Sequence, residues 1–195
     1  MADLAAVFID GGYLMKLLKE EFGSPGIDFK KLAEEMAGDH DIFRAYYYNC
    51  MPHQGTTPNV EEQERYKKAR RFYDALNRLP RFEVRLGKLA VRGVDAAGHT
   101  IFQQKRVDIM LGVDLVLLAA KNRIAKACLL TGDSDFIPAV QVAKNEGVNV
   151  HLFHGNRAQV HDEIWIAADD RTRVDADFIG RIRQIIVTPR PFGNE

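Results

Sequence analysis

The chain has 195 residues, 46% of them hydrophobic and 28% charged, with 27 Lys or Arg against 27 Asp or Glu. That length buries a sizeable core without disulfide or metal staples, and the composition excludes disordered and fibrous classes. No apolar run approaches the roughly 18 residues of a membrane span, and Met1-Ala-Asp does not open a signal peptide, so a cytoplasmic protein without a membrane partner is expected.

In chain order, Leu4 to Ile9 is a continuous apolar run that stops at Asp10-Gly11-Gly12, the pattern of a buried strand and a glycine turn. Gly12 to Phe22 reads as a helix, broken at Gly23-Ser24-Pro25-Gly26. Asp28 to Met36 is a second helix, with Phe29, Leu32, Ala33 and Met36 on one face. Ile42 to Cys50, with three consecutive tyrosines, is the second strand. After a loop holding Pro52, Gly55 and Pro58, Asn59 or Thr57 caps a helix that runs to about Leu79. Glu61, Glu62 and Glu64 sit at its N-terminal end and most of its bases later, as the helix dipole favours.

Phe82, Val84 and Leu86 alternate with Arg81, Glu83 and Arg85 in a half-buried strand. It is read as continuing to Val91 and turning back through Gly93–Gly98 into a return strand, Thr100 to Gln103. Asp108 to Ala120 is the most apolar helix; its polarity is too low for a surface helix, which places it centrally against the sheet. Ala125 to Leu130 is a strand and Phe136 to Glu146 a helix stopped by Gly147. Val148 to Phe153 is the next strand, Ala158 to Ala168 is weakly helical, and Ala176 to Val187 is a last amphipathic helix. Residues 188–195 hold two prolines and read as a loose tail behind one domain, 1–187. Alternating β and α elements argue a mainly parallel sheet covered on both faces, with Leu4–Ile9 and Ala125–Leu130 adjacent at its middle.

The stretch Leu129 to Phe136 carries the chemistry. It runs from a strand through Thr-Gly into Asp133-Ser134-Asp135, and ligands bind at the carboxyl ends of strands in such sheets. Neighbouring carboxylates repel, and a cation between them relieves the repulsion. Helix capping by Ser134 or Asp135 accounts for one of these residues and not for the pair with Asp10. Asp108 follows Lys105-Arg106-Val107 at another boundary. Four acids so placed form a hard-oxygen site suited to Mg²⁺ or Mn²⁺.

Basic charge is concentrated elsewhere. Residues 1–59 carry five Lys or Arg against nine acids, residues 60–92 ten against five, and residues 93–195 twelve against thirteen. Arg65, Lys68, Arg71, Arg85 and Lys88 are candidates for a nucleic-acid face; a solvated helix face is the plainer reading of this cluster. No His-x-x-x-His or Cys-His spacing supports zinc, though His154 at a strand end is near the expected site. Cys50 and Cys128 read as reduced core thiols. Trp165 and Tyr46 to Tyr48 have rings that stack on bases, but their spacing is that of core residues.

These motifs resemble the NYN-domain family, the LabA-like branch of PIN-like nucleases. The matching residues are Phe8-Ile9-Asp10-Gly11, Lys105 with Val107-Asp108 and Asp114, and Gly132-Asp133-Ser134-Asp135-Phe136 with Pro138. The resemblance implies a Rossmann-like, three-layer α/β/α PIN-like fold and metal-dependent cleavage of RNA, with Asp10, Asp108, Asp133 and Asp135 as the acidic cluster. Many members carry Asn three residues after the first Asp, where this chain has Tyr13.

On this reading Asp10 and Asp133 touch the metal, while Asp108 and Asp135 hold its water or a second ion. Asp114 lies about 240° round the helix from Asp108 and falls outside the cluster. Lys105 balances cluster charge or meets a phosphate oxygen. Single-stranded RNA is the expected partner, and a homodimer is left open. Two alternatives stand: a non-catalytic RNA-binding or regulatory module on the same fold, and a phosphohydrolase of the haloacid-dehalogenase type. The latter needs an acid two residues after its aspartyl nucleophile, where this chain has Gly12.

Overall fold

The computed structural model describes residues 3–94, 100–156 and 160–184. Strand β1 (Leu4–Asp10) lies at the centre of a seven-stranded sheet. Its side chains alternate between two cores: Ala5, Val7 and Ile9 enter one, and Ala6 and Phe8 the other. A strand buried on both faces has no use for polar alternation, so its sequence is a continuous apolar run.

The other strands are β2 (Asp41–Cys50), β3 (Phe82–Val94), β4 (Thr100–Lys105), β5 (Lys126–Leu130), β6 (Asn149–His154) and β7 (Asp170–Arg173). They are ordered β4-β3-β2-β1-β5-β6-β7. Every neighbouring pair is parallel except β3 with β4. Helices α1 (Gly11–Phe22), α2 (Phe29–Ala37), α3 (Val60–Asn77) and α7 (Ala176–Ile182) feed one core. Helices α4 (Val107–Ala120), α5 (Ile137–Asn145) and α6 (Asp162–Ala167) feed the other. The architecture is the expected three-layer, Rossmann-like one.

Local chemistry sets the element ends. Asn59, not Thr57, caps α3 through a reciprocal pair with Glu62: its side chain takes the Glu62 N–H at 2.8 Å, and Glu62 takes the Asn59 N–H at 3.2 Å. The helix–strand break after α5 falls at Gly147, which holds a left-handed φ of 81°. Cys50 and Cys128 are free and buried. None of the described helices is long and apolar enough to cross a membrane.

Strand β3 has two lives. Residues up to Gly87 pair with β2 inside the sheet. From Lys88 onward it pairs antiparallel with β4, forming an arm that continues past the point where β2 ends. This arm holds the expected return strand; residues 95–98 of the expected turn through Gly93–Gly98 lie outside the described residues, as does the expected tail at 188–195.

Two expectations need correction. Strand β7 was not anticipated because Asp170-Arg-Thr-Arg carries no apolar residue; it is an edge strand whose charges suit solvent and blunt edge pairing. Helix α4 is not central. Leu111, Leu115 and Leu118 are buried against the sheet, but Ile109, Val113 and Leu117 are 70%, 57% and 45% exposed. Its low polarity reflects an uncovered apolar stripe in addition to the buried one.

The two stripes should separate in stability. Leu115→Ala removes a fully buried side chain and is expected to cost about 2–5 kcal/mol. Val113→Ala on the same helix should cost below about 1 kcal/mol. Urea denaturation of both variants checks this, and equal losses would show that the outer stripe is covered.

Candidate active site

Strands β1 and β5 run side by side with Ile9 opposite Leu130, so the chain leaves both at the same end of the sheet. Asp10 is the last residue of β1 and also the N-cap of α1. Its Oδ1 accepts from the backbone N–H of Gly12 at 2.9 Å and of Tyr13 at 3.1 Å. Its Oδ2 accepts from the Thr131 hydroxyl at 3.3 Å. Thr131 follows β5 directly and is fully buried. Its Oγ1 also accepts the Asp133 N–H at 3.3 Å. Asp133 then caps the 3₁₀ turn Ser134–Phe136, taking the Asp135 N–H on Oδ1 at 3.0 Å. One hydroxyl thus ties together the two loops that carry the acids.

Gly11 permits this packing by its lack of a side chain. A Cβ there would lie 2.5 Å from the Tyr47 Oη and 2.7 Å from the Asn49 amide nitrogen. Its role is close approach, not a left-handed turn.

Asp10 and Asp133 line a cleft of about 270 Å³ together with Gly12, Tyr13, Lys16, Gly132 and His161. Asp108 and Asp135 lie at the head of the adjoining groove between α4 and α5. Burial chiefly raises the Asp10 carboxyl above its ordinary range; hydrogen bonds from Tyr13, Thr131 and Gly12 oppose this, and the Asp133 charge adds to it. Asp108 is raised by burial and then by Asp133, Asp10 and Asp135 in that order. The four acids therefore feel one another. Among the described residues, however, no three acidic, His or Cys side chains gather into a ready metal cage.

Lys16 and His161 were missed by sequence reading. Lys16 had a signal, because it falls one helical turn after Gly12 on α1. His161 had none: it reaches the cleft through a loop whose backbone N–H donates to the Gly132 carbonyl at 3.1 Å. His154 instead contacts the neighbouring Gly155 carbonyl, and His151 contacts Thr172. Tyr13 has a structural task, its hydroxyl accepting the Gly155 N–H at 3.1 Å. Burial pushes that phenol up to about 12.

The basic candidates separate into groups. Lys88 and Lys105 are direct cross-strand partners at the base of the β3–β4 arm, and both are exposed. Arg65 and Lys68 border a cavity beside α3, whereas Arg71 is exposed on that helix and does not line it. Arg85 is a correction: its guanidinium pairs with Glu83, and with Asp114 at 3.1 Å, and stands over the Tyr46 ring. Asp114, which also accepts from the Tyr48 hydroxyl at 3.0 Å, lies outside the acid group, as its helical position required. Tyr46, Tyr47 and Tyr48 are core residues as expected, whereas Trp165 is 45% exposed, with the Arg171 guanidinium 4.3 Å over its ring.

The family model described as NYN domain matches residues 4–174. The uncharacterized protein y4oD of Sinorhizobium fredii (strain NBRC 101917 / NGR234) is 48% identical over 50 residues. That match covers 26% of this chain and 23% of y4oD, so the chain spans less than a quarter of that relative. The crystal structure of a protein of unknown function, VPA0982 from Vibrio parahaemolyticus RIMD 2210633, superposes with a TM-score of 0.63 at 17% identity. It covers 91% of this chain and 96% of its own, a likeness of fold alone.

Two outcomes test this geometry. Thr131→Val keeps the shape but leaves the part-buried Asp133 N–H without its acceptor and Asp10 Oδ2 without this donor; a loss of about 1–3 kcal/mol is expected in denaturant titrations. Separately, the raised carboxyls of Asp10 and Asp108 hold protons longer in the folded chain than in the unfolded one. They withdraw stability as pH climbs from the unfolded carboxylate range, near about 4, through their raised folded values. In chelator, Asp108→Asn should melt at or above the parent temperature at neutral pH and lose part of this decline. A variant that melts lower at neutral pH than at acid pH by the full parent margin would contradict it.

Proposed function

The chain belongs to the NYN-domain family, within the PIN-like nuclease superfamily, and on that premise we propose that it is a divalent-cation-dependent ribonuclease acting on single-stranded RNA. The observation that carries this reading is the joining of Asp10 and Asp133 by Thr131 at the carboxyl ends of two parallel strands. Burial raises the Asp10 carboxyl and the Asp133 charge adds to it, and two such carboxylates opening on one cleft favour a cation.

The donor set fits Mg²⁺ or Mn²⁺. It consists of carboxylate and hydroxyl oxygens, and Mg²⁺ is usually held by one or two carboxylates while keeping its waters. A closed four-ligand cage of the zinc type is not what these residues offer. Asp10 and Asp133 would hold the ion, with Asp108 and Asp135 accepting hydrogen bonds from surrounding water. When bound, the ion would lower the pKa of an attacking water and neutralise phosphate charge.

The remaining steps belong to the chain's own side chains. The N–H groups of Gly12 and Tyr13 and the Thr131 hydroxyl fix the Asp10 carboxylate, so it need not reorganise during the reaction. Lys16 lines the same cleft and suits a phosphate oxygen. Lys88 and Lys105 stand opposite each other on the arm, a like-charge arrangement that is unfavourable until an anion lies between them. His161 lines the cleft, where its imidazole would pass a proton to a departing oxygen.

One observation favours a second reading, the non-catalytic module. Asp10 and Asp133 both serve as caps, which gives each acid a reason to exist without catalysis. Asparagine caps about as well as aspartate, so Asp133→Asn should keep the parent melting temperature under either reading. If the chain is a nuclease, Mn²⁺-dependent cleavage of a labelled single-stranded RNA should fall at least about a hundredfold in that variant, beyond the loss typical of a supporting residue. Asp133→Ala, which also removes the cap, should melt lower. Cleavage by Asp133→Asn at the parent rate would overturn the role given to Asp133, and no cleavage by the parent with Mn²⁺ or Mg²⁺ would leave the binding module standing.

A further inference from the structure

A second cavity shares helix α1 with the acidic cleft and lies between α1, α2 and α3. We propose that it is a nucleobase subsite, in which one unstacked base of the RNA lodges beside the nucleotide held at the acidic cleft. The ligand class rests on the ribonuclease reading above; the subsite and its position do not.

The cavity has a volume of about 500 Å³. That is within the range of sites that enclose small organic ligands, about 300–1,000 Å³. Phe29, Tyr47 and Phe72 form its aromatic wall. Their ring centroids lie 5.3 to 5.7 Å apart in edge-to-face contacts. Flat aromatic ligands are sequence-tolerant partners for such walls, because every base has a π face.

Asn49 supplies a polar group at this wall. Its Nδ2 donates to the Tyr47 Oη at 3.3 Å and its Oδ1 accepts the Cys50 N–H at 2.8 Å. An amide carries two N–H bonds and two lone pairs, so one of each is left for a base edge.

The rim is positive. Arg65 and Lys68 border the cavity and make no ion pair among the described residues. Their neighbours on the same helix are paired, Lys67 with Glu64 at 3.0 Å and Arg70 with Asp74 at 4.0 Å. Two uncompensated cations at the mouth of an aromatic cavity complement a nucleotide, with its phosphate outside and its base inside.

Proximity to the acids comes from Gly11. The missing side chain at that position lets Tyr47 and Asn49 reach the backbone of the residue after Asp10. The start of α1 is thus a shared wall: Gly12 lines the acidic cleft, while Met15 and Leu18 line the cavity. A base in this cavity cannot be paired, so the subsite selects single-stranded RNA or an extruded nucleotide over a duplex.

The test is calorimetric titration of the full chain in chelator with adenosine 5′-monophosphate, uridine 5′-monophosphate and ribose 5-phosphate. Both nucleotides should bind about tenfold or more tightly than ribose 5-phosphate, the scale of one stacked base. Ala69→Leu fills the cavity from α3 and should reduce nucleotide binding to the sugar-phosphate level. Arg65→Glu with Lys68→Glu should weaken all three ligands. Ribose 5-phosphate binding as tightly as the nucleotides, or no nucleotide binding at all, overturns the subsite on the parent protein alone, even if Ala69→Leu fails to fold. A folded Ala69→Leu that binds nucleotides unchanged also overturns it. Metal-dependent cleavage is read in a separate assay: RNA cleaved without nucleotide binding sinks the subsite only, and nucleotide binding without cleavage sinks the nuclease reading only.

Discussion

The Thr131 hydroxyl, buried between Asp10 and Asp133, is the constraint on which the site depends. Parallel pairing of β1 with β5 brings their ends to one edge, but pairing alone fixes backbones and not carboxylates. The hydroxyl does the rest by donating to one acid and accepting from the backbone of the other. Tyrosines and cysteines aside, this threonine is the one polar or charged side chain buried among the described residues. Buried polar groups are tolerated when satisfied, and here both the donor and an acceptor function are used.

This arrangement sets two forces against each other. Capping bonds and the N-terminal dipole of α1 stabilise a negative charge at Asp10. Burial and the nearby Asp133 charge oppose it, and burial is the larger effect. The balance leaves a carboxylate that is rigidly aimed and poorly neutralised. Such a group is costly by itself, and on the proposed reading a bound cation would offset that cost. Rigid orientation and unmet charge are separate properties, and the same residue has both because strand end, helix start and acid coincide in Asp10.

Much of this was legible in the sequence because the controlling signals are local. Continuous apolar runs of five or six residues followed by Asp or Thr-Gly-Asp mark strands buried on both faces, and alternation of β and α fixed the layer order. Asp114 was separable from Asp108 by helical geometry alone, and its pairing with Arg85 and Tyr48 agrees. What escaped was non-local. His161 enters the cleft from a loop with no periodicity, and Arg85 leaves the expected nucleic-acid face because Asp114 and Glu83 claim it. The charged edge strand β7 is invisible to a pattern that looks for apolar residues. Helix α4 misled for the opposite reason: composition reports how apolar a helix is, but not how much of it a neighbour covers.

On the proposed reading, the charge pattern is what would let a chain with no net charge meet RNA. At physiological ionic strength exposed charges act over about 8 Å, so totals matter less than which charges adjoin the site. The acids meet at the sheet's carboxyl edge, while Lys88 and Lys105 stand at the foot of the arm that rises there. Arg65 and Lys68 flank the cavity on the other side of α1. A cation placed among the acids would turn the middle of this array from negative to neutral or positive and remove its repulsion of a phosphate backbone. Without the cation, the acids repel that same backbone. Metal and RNA are therefore expected to bind cooperatively, with the acids supplying the coupling between them.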